Sequence, residues 1–389
     1  MKYDFDKPVN RSNTNSFKWD KTIEFLGSSD VIPLWVADMD LECSHKVVDA
    51  LRERLEHNIF GYTYRPNSFY QAIIDWNKKR FNWKIKKDWI LNTPGVVTAI
   101  AIALQTFSQK GDKILIQPPV YGPFHEVVEI NDRKLIKNNL LLKDNKYCID
   151  FADLEEKLAQ DVKIMLLCSP HNPVGRVWTK DELHRIGEMA KKYDVLIVSD
   201  EIHYDFVLSD VKHYPLAKLS TDFADRIITL TAPSKTFNLA GFKMANVIIS
   251  NRNIYEKFNK GINKLHLSNS TILGVIAEEA AYRYGEEWLE QVLEYIRENQ
   301  QFVTDYIQEN IPKIKVIKGE GTFLLWLDFR EFELTHEELK KLIINKAKVG
   351  LFDGKFFGES GAGFFRMNLA VSRKVLEKAL DNLKRIFVT

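Results

Sequence analysis

The chain has 389 residues, 45% hydrophobic and 12% aromatic, a composition that excludes disorder, collagen-like repeats and low complexity and a length that favours two domains. Its 55 Lys and Arg nearly cancel 53 Asp and Glu, for a formal charge of +2. That balance gives no sign of a nucleic-acid face or a polybasic membrane anchor, and it points to small-molecule chemistry.

The first 40 residues read as a polar, irregular, extended arm apart from VIPLWVADMD. Helical patterns follow over 44–56 and 67–81, joined by the aromatic turn FGYTYRP, with Ser44 expected to cap the first by accepting from its free amides. From about 89 to 250, short apolar runs alternate with amphipathic stretches. KILIQP, RKLIKN, KIMLLCS, VLIVSD, RIITLTA and MANVIIS read as strands of a mostly parallel sheet covered by helices on both faces. A helix is expected over 180–193, where Thr179 and Glu182 have the spacing of a capping box. A long amphipathic helix follows over 286–310. The pattern then restarts with KIKVIKG, TFLLWLDF, a helix over 337–346 preceded by a Thr335/Glu338 box, FFRMNLA and a final helix over 373–386. The expected organisation is α/β: an arm (1–43) that joins the small domain, a large domain (44–285) and a small α+β domain (286–389).

Cys43, Cys148 and Cys168 lie far apart without a C-x-x-C pair, which encodes neither a disulfide framework nor a cysteine metal site and fits a reducing cytoplasm. The N-terminus lacks an apolar signal core, and the best apolar run, 96–104, is half a membrane span. No metal, membrane or nucleic-acid partner is expected.

Three polar residues stand at the ends of successive buried strands: Asn172 after KIMLLCS, Asp200 ending VLIVSD, and Lys235 after RIITLTA. Taken singly they also read as a turn, a helix cap and a surface lysine. Open α/β sheets bind ligands beyond the carboxyl ends of their strands, so the three are expected to converge on one crevice. There a lysine can hold the aldehyde of pyridoxal phosphate, an aspartate can keep the pyridine nitrogen protonated, and an asparagine can donate to the phenolic oxygen.

SPHNPVGRVW, VLIVSDEIHYDF, TAPSKTFNLAGFKMAN and FFRMNLA, in that order, resemble the motifs of the aspartate-aminotransferase fold family of pyridoxal phosphate enzymes, over essentially the whole chain. Within it, PLWVADMDL, FGYTYRP, PPVYGPF and DEIH look most like the carbon–sulfur β-lyases, the cystathionine β-lyase and cystalysin-like branch. The resemblance implies a mostly parallel seven-stranded sheet with helices on both faces, and pyridoxal 5'-phosphate as cofactor.

It also implies roles for further residues. Gly95, Val96 and Val97 sit at a loop-to-helix junction suited to the cofactor phosphate, with Ser234 as a hydroxyl donor. Lys243 stands where the family usually has an arginine, and binds as a point charge without the bidentate fork. Tyr121 matches the aromatic residue stacked on the cofactor ring. Tyr64 matches the residue that reaches the neighbour's phosphate, which implies a homodimer. Arg366 matches the arginine that grips the substrate α-carboxylate, with Asn172 and the backbone of Ala37 nearby. His203 occupies the place of a tyrosine near the phenolic oxygen, and it reads equally as a structural histidine, whereas His171 reads as a loop residue rather than a catalyst.

The expected activity is β-elimination from cystathionine or a related L-cysteine thioether to a thiol, pyruvate and ammonia. Lys235 serves as general base, and either Lys235 or Tyr121 protonates the departing sulfur. The alternatives are an aminotransferase acting on L-amino acids and a binding protein with vestigial catalysis.

Overall fold

A computed structural model describes residues 2–7 and 9–388. Seven strands form the central sheet: β1 (Ile90–Thr93), β2 (Lys113–Ile116), β3 (Lys134–Lys137), β4 (Val162–Cys168), β5 (Leu196–Asp200), β6 (Ile227–Thr231) and β7 (Ala245–Ile248). Their order is β1-β7-β6-β5-β4-β2-β3. β7 runs antiparallel to both neighbours, and the remaining pairs are parallel. Because side chains alternate across a strand, each face carries its own apolar layer. Ile114, Ile116, Val198 and Val247 pack against Ile100, Ala103 and Phe258 on one side. Leu115, Met165, Leu167 and Ile197 pack against Leu154, Leu183 and Ile186 on the other.

A second sheet has four strands, β8 (Lys315–Val316), β9 (Leu324–Asp328), β10 (Phe352–Asp353) and β11 (Phe364–Asn368), in the order β8-β9-β11-β10 and all antiparallel. The arm joins this half. Ile32 and Pro33 pair with Val349 and Gly350, and Asn368 N donates to Leu34 O at 2.9 Å. The long helix Glu286–Asn310 and the final helix Arg373–Phe387 lie where their apolar periodicity placed them, and both expected capping boxes form, at Thr179/Glu182 and Thr335/Glu338.

Four local expectations need correction. The arm is not wholly irregular, since Phe17–Asp20 and Thr22–Leu26 are short helices. Ser44 occupies the N-cap of His45–Glu56, but its side chain makes no bond to the helix amides and lies 3.4 Å from the Tyr3 hydroxyl. The helix expected over 337–346 is α-helical only over His336–Lys341 and continues as a π-helical turn, Leu342–Lys346. β1 was absent from the expected strands because its Asn92 is a polar residue in a buried position. Asn92 Nδ2 donates to Asn246 Oδ1 of β7 at 2.7 Å, and this side-chain pairing breaks the apolar run.

Candidate active site

Strand register brings the expected residues together. Asp200, the last residue of β5, stands beside Cys168, the last of β4, and beside Leu230 of β6. Asn172 follows β4 and Lys235 follows β6, so both sit at the same carboxyl edge. They line a cavity of about 760 Å³ together with Ala37, Gly95, Val96, Val97, Tyr121, His203, Ser234, Lys243 and Arg366. Of the expected site residues, Tyr64 alone is outside it. Tyr64 is 79% exposed, on the segment that also presents Ile59, Phe60 and Tyr62.

Arg366 comes from β11 of the second sheet and is 3% exposed. One Nη donates to Asn172 Oδ1 and the other to the Trp35 carbonyl, both at 2.8 Å, while its buried Nε has no partner. The guanidinium lies over the rings of Phe352 and Phe357, 4.9 Å from each centroid. Burial pushes its pKa down to about 9. The buried, incompletely paired fork is suited to a planar anion arriving from the cavity.

Lys235 Nζ donates to the Ala37 carbonyl at 2.6 Å. Burial, reinforced by Arg366 and Lys243 and opposed by Asp38 and Asp200, pushes its pKa down to about 8. Asp200 accepts from Ile202 N at 3.1 Å, and burial pushes its pKa up to about 7, with Lys235 partly offsetting this. A carboxylate that has lost water in this way fits a ligand that brings its own cationic N–H.

Helix Val96–Phe107 begins at the wall of the same cavity with no side-chain cap and no acidic residue in its first turn. Its free amides, Ser234 and Lys243 form a cradle suited to a phosphate. The residues lining the cavity therefore supply partners for the charged groups of pyridoxal phosphate.

His203 lines the cavity, but burial, then Lys235 and Arg366, hold its pKa well below the ordinary value. Its Nδ1 has no partner and its ring meets Phe323 edge-on. His171 lies elsewhere, with Nε2 2.9 Å from the Pro119 carbonyl and burial lowering its pKa to about 4. Tyr121 has its pKa raised, by burial first and by Asp200 second.

Two features were missed from sequence. Cys168 lines the cavity, and its Sγ accepts from Asn172 N at 3.4 Å. Its place at the end of a buried strand beside Asp200 was a usable signal. The second is an aromatic wall at the mouth. Phe17 and Phe25 are 4.8 Å apart, Trp35 lies within 5.5 Å of both and 5.8 Å from Phe352, and Phe352 is 4.8 Å from Phe356. The Phe356 ring closes over Gly122, where a Cβ would stand 2.3 Å from it. Beyond the wall, Asp353 is engaged by His336 at 2.8 Å, by Lys340 at 2.9 Å and by the Lys355 amide at 2.9 Å. Among the described residues no group of His, Cys, Asp and Glu could hold a metal ion, and no helix is long and apolar enough to cross a membrane.

Comparison with known proteins agrees with this geometry. Cystathionine beta-lyase PatB of Bacillus subtilis is 42% identical over 381 residues, which cover 98% of each chain. Cystalysin of Treponema denticola, solved with pyridoxal 5'-phosphate, superposes with a TM-score of 0.96 at 39% identity, covering 99% of each chain. A pyridoxal-phosphate-bound C-S lyase of Staphylococcus hominis superposes with a TM-score of 0.94 at 32% identity, covering 100% of this chain and 99% of its own. The family described as aminotransferase class I and II matches residues 29–383, and the chain belongs to that family.

Proposed function

We propose that the chain is a pyridoxal-phosphate-dependent carbon–sulfur β-lyase that cleaves cystathionine or a related L-cysteine thioether to a thiol, pyruvate and ammonia. The observation that carries this reading is the convergence of Lys235, Asp200, Asn172 and Arg366 on one cavity, in a chain whose relatives are named as such lyases.

When bound, the cofactor supplies an electron-withdrawing ring that stabilises negative charge at the substrate α-carbon. Asp200 holds a proton on the ring nitrogen. Ser234, Lys243 and the amides at Gly95, Val96 and Val97 hold the phosphate. Asn172 has its Oδ1 committed to Arg366, which leaves Nδ2 to donate to the ring oxygen. Tyr121 closes one face of the site, and His203 stays neutral beside it.

Arg366 grips the substrate α-carboxylate and so fixes the direction of the Cα–H bond. Ala37 lies on the loop whose carbonyls already meet Lys235 and Arg366, within reach of the same carboxylate. Lys235, with its pKa near 8, can both take the α-proton and return one near neutral pH. Tyr121, made a weaker acid by burial, is the poorer donor to the departing sulfur. The same lysine therefore serves as base first and as acid second.

The aromatic mouth can pack the methylene or other apolar part of a thioether's S-substituent, and Asp353, the carboxylate there, is already engaged by three donors. The active unit is read as a homodimer in which Tyr64 completes the neighbour's phosphate site, and the four exposed side chains of the 59–64 segment support this. The chain divides functionally into a cofactor-holding part (44–285) and a part that brings Arg366 to the substrate (286–389 with arm 1–43). The pairing of the arm with Val349–Gly350 supports that division.

A direct test compares wild type with Lys235→Ala, measuring the protein-bound visible absorbance of the lysine-linked cofactor after free pyridoxal phosphate is removed, and thiol release from cystathionine. Both signals are expected in wild type and neither in the variant. Absence of absorbance in wild type overturns the reading.

A further inference from the structure

One buried charged cluster outside the cavity has no place in this chemistry. The Asp205 side chain is fully buried, and three donors meet it, two from the helix Asn67–Phe81 and one from the turn after β6. Thr236 Oγ1 donates to Oδ2 at 2.8 Å, Trp76 Nε1 donates to the same oxygen at 3.3 Å, and Arg80 Nε lies 3.0 Å from Oδ1. Arg80 in turn covers the Trp76 ring at 5.3 Å and pairs with Glu290 near the surface.

Burying an ion pair costs several kcal/mol per ion, and apolar residues of equal volume often stabilise a fold as well or better. Packing alone therefore does not explain a carboxylate here. Its position does. Thr236 is the residue after Lys235, at the end of the single helical turn Pro233–Thr236 that follows β6. The backbone bonds of that turn, Phe237 N to Pro233 O and Leu239 N to Ser234 O, stay within its own loop. Asp205 ties the turn to a different segment, the one that leaves β5 and also carries Asp200. A single short loop thus presents a carboxylate to the cavity at Asp200 and, five residues on, anchors the neighbour of the lysine.

We propose that Asp205 is a positioning residue for Lys235: it grips the Thr236 hydroxyl, is held in place by Arg80 and Trp76, and so fixes the lysine amine within the cavity. The proposal rests on the reading of Lys235 as the reactive amine.

The test uses the full chain with Thr236→Val, which keeps the shape and removes the hydroxyl, and Thr236→Ser, which restores it. Thiol release is measured together with labelling of Lys235 by an amine reagent in the cofactor-free chain as a function of pH, read by mass spectrometry. Thr236→Val is expected to lower kcat by roughly tenfold with KM within about twofold. Its labelling profile is expected to shift to higher pH as the amine loses its buried setting, while Thr236→Ser stays near wild type in both. A Thr236→Val profile identical to wild type overturns the proposal, as does an equal loss in Thr236→Ser, which would mean packing only. Labelling needs no turnover, so it decides the question even if wild type releases no thiol, an outcome that counts against the lyase reading alone.

Discussion

Arg366 reaches across from the four-stranded sheet to donate at 2.8 Å to Asn172 on the loop that follows β4 of the seven-stranded sheet. One hydrogen bond thus joins the proposed carboxylate clamp to the proposed cofactor contact. Replacing Arg366 with Lys keeps the charge and loses the fork. Hydrogen bonds to charged groups contribute about 1.5–3 kcal/mol, so kcat/KM for cystathionine is expected to fall roughly ten- to a hundredfold. Most of the loss should appear in KM, and steady-state kinetics on the purified variant checks this.

The aromatic mouth predicts a selectivity change. Phe356 is 45% exposed, and its ring lies over Gly122, the residue after Tyr121. Truncating Phe356 to Ala should lower the ratio of kcat/KM for S-benzyl-cysteine over that for S-methyl-cysteine by about tenfold, the scale of a few methylenes in an apolar pocket. An unchanged ratio in competition assays would remove Phe356 from substrate recognition.

Tyr64 lines no part of its own chain's cavity, so its expected action is on a second copy. Lys235→Ala and Tyr64→Ala homodimers are each expected to be nearly inactive. Mixed and allowed to exchange, they should form hybrids with one intact site, giving roughly a quarter of wild-type activity if pairing is random. Activity that does not rise on mixing, under conditions where mass spectrometry shows exchange, contradicts a shared site.

Glu278 gives a prediction independent of catalysis. It is fully buried, accepts from Asn246 Nδ2 at 2.7 Å, and has an Oε2 without a partner. Burial raises its pKa from 4.5 to about 8, with Asn246 opposing. The folded chain therefore holds this proton over a pH range in which the unfolded chain has lost it. The stability contributed is present below the unfolded pKa and declines as pH rises toward about 8. Glu278→Gln removes that dependence. The variant's melting temperature relative to wild type should increase with pH between these limits, with a gain of about 1–3 kcal/mol at the alkaline end.

Much of this site was legible from local pattern. Asn172, Asp200 and Lys235 each punctuate the end of a buried apolar run, and in a parallel sheet the ends of neighbouring strands share one edge, so their convergence followed from strand order. Arg366 was legible through its motif in FFRMNLA. What could not be read depends on long-range packing. The mouth is assembled from Phe17, Phe25 and Trp35 of the arm with Phe352 and Phe356 of the far half, and no local periodicity links those segments. β1 was hidden because Asn92 is satisfied only by Asn246, over 150 residues away. Ser44 had the residue type of a cap, yet its hydroxyl lies beside Tyr3 instead of the helix amides. Asp205 read as part of a motif, and its contact with Thr236 emerges only when β5 and β6 lie side by side.

The most direct measurement is the number of pyruvate and thiol molecules released per chain from cystathionine when no 2-oxo acid is supplied. A β-lyase needs no amino-group acceptor, so the count is predicted to rise linearly far beyond one per chain, with pyruvate and thiol in equal amounts and ammonia alongside. Release of neither pyruvate nor thiol, with cystathionine instead converted to its own 2-oxo acid only when a second 2-oxo acid is supplied as acceptor, would contradict the account, and would assign the same lysine, aspartate and arginine to amino-group transfer.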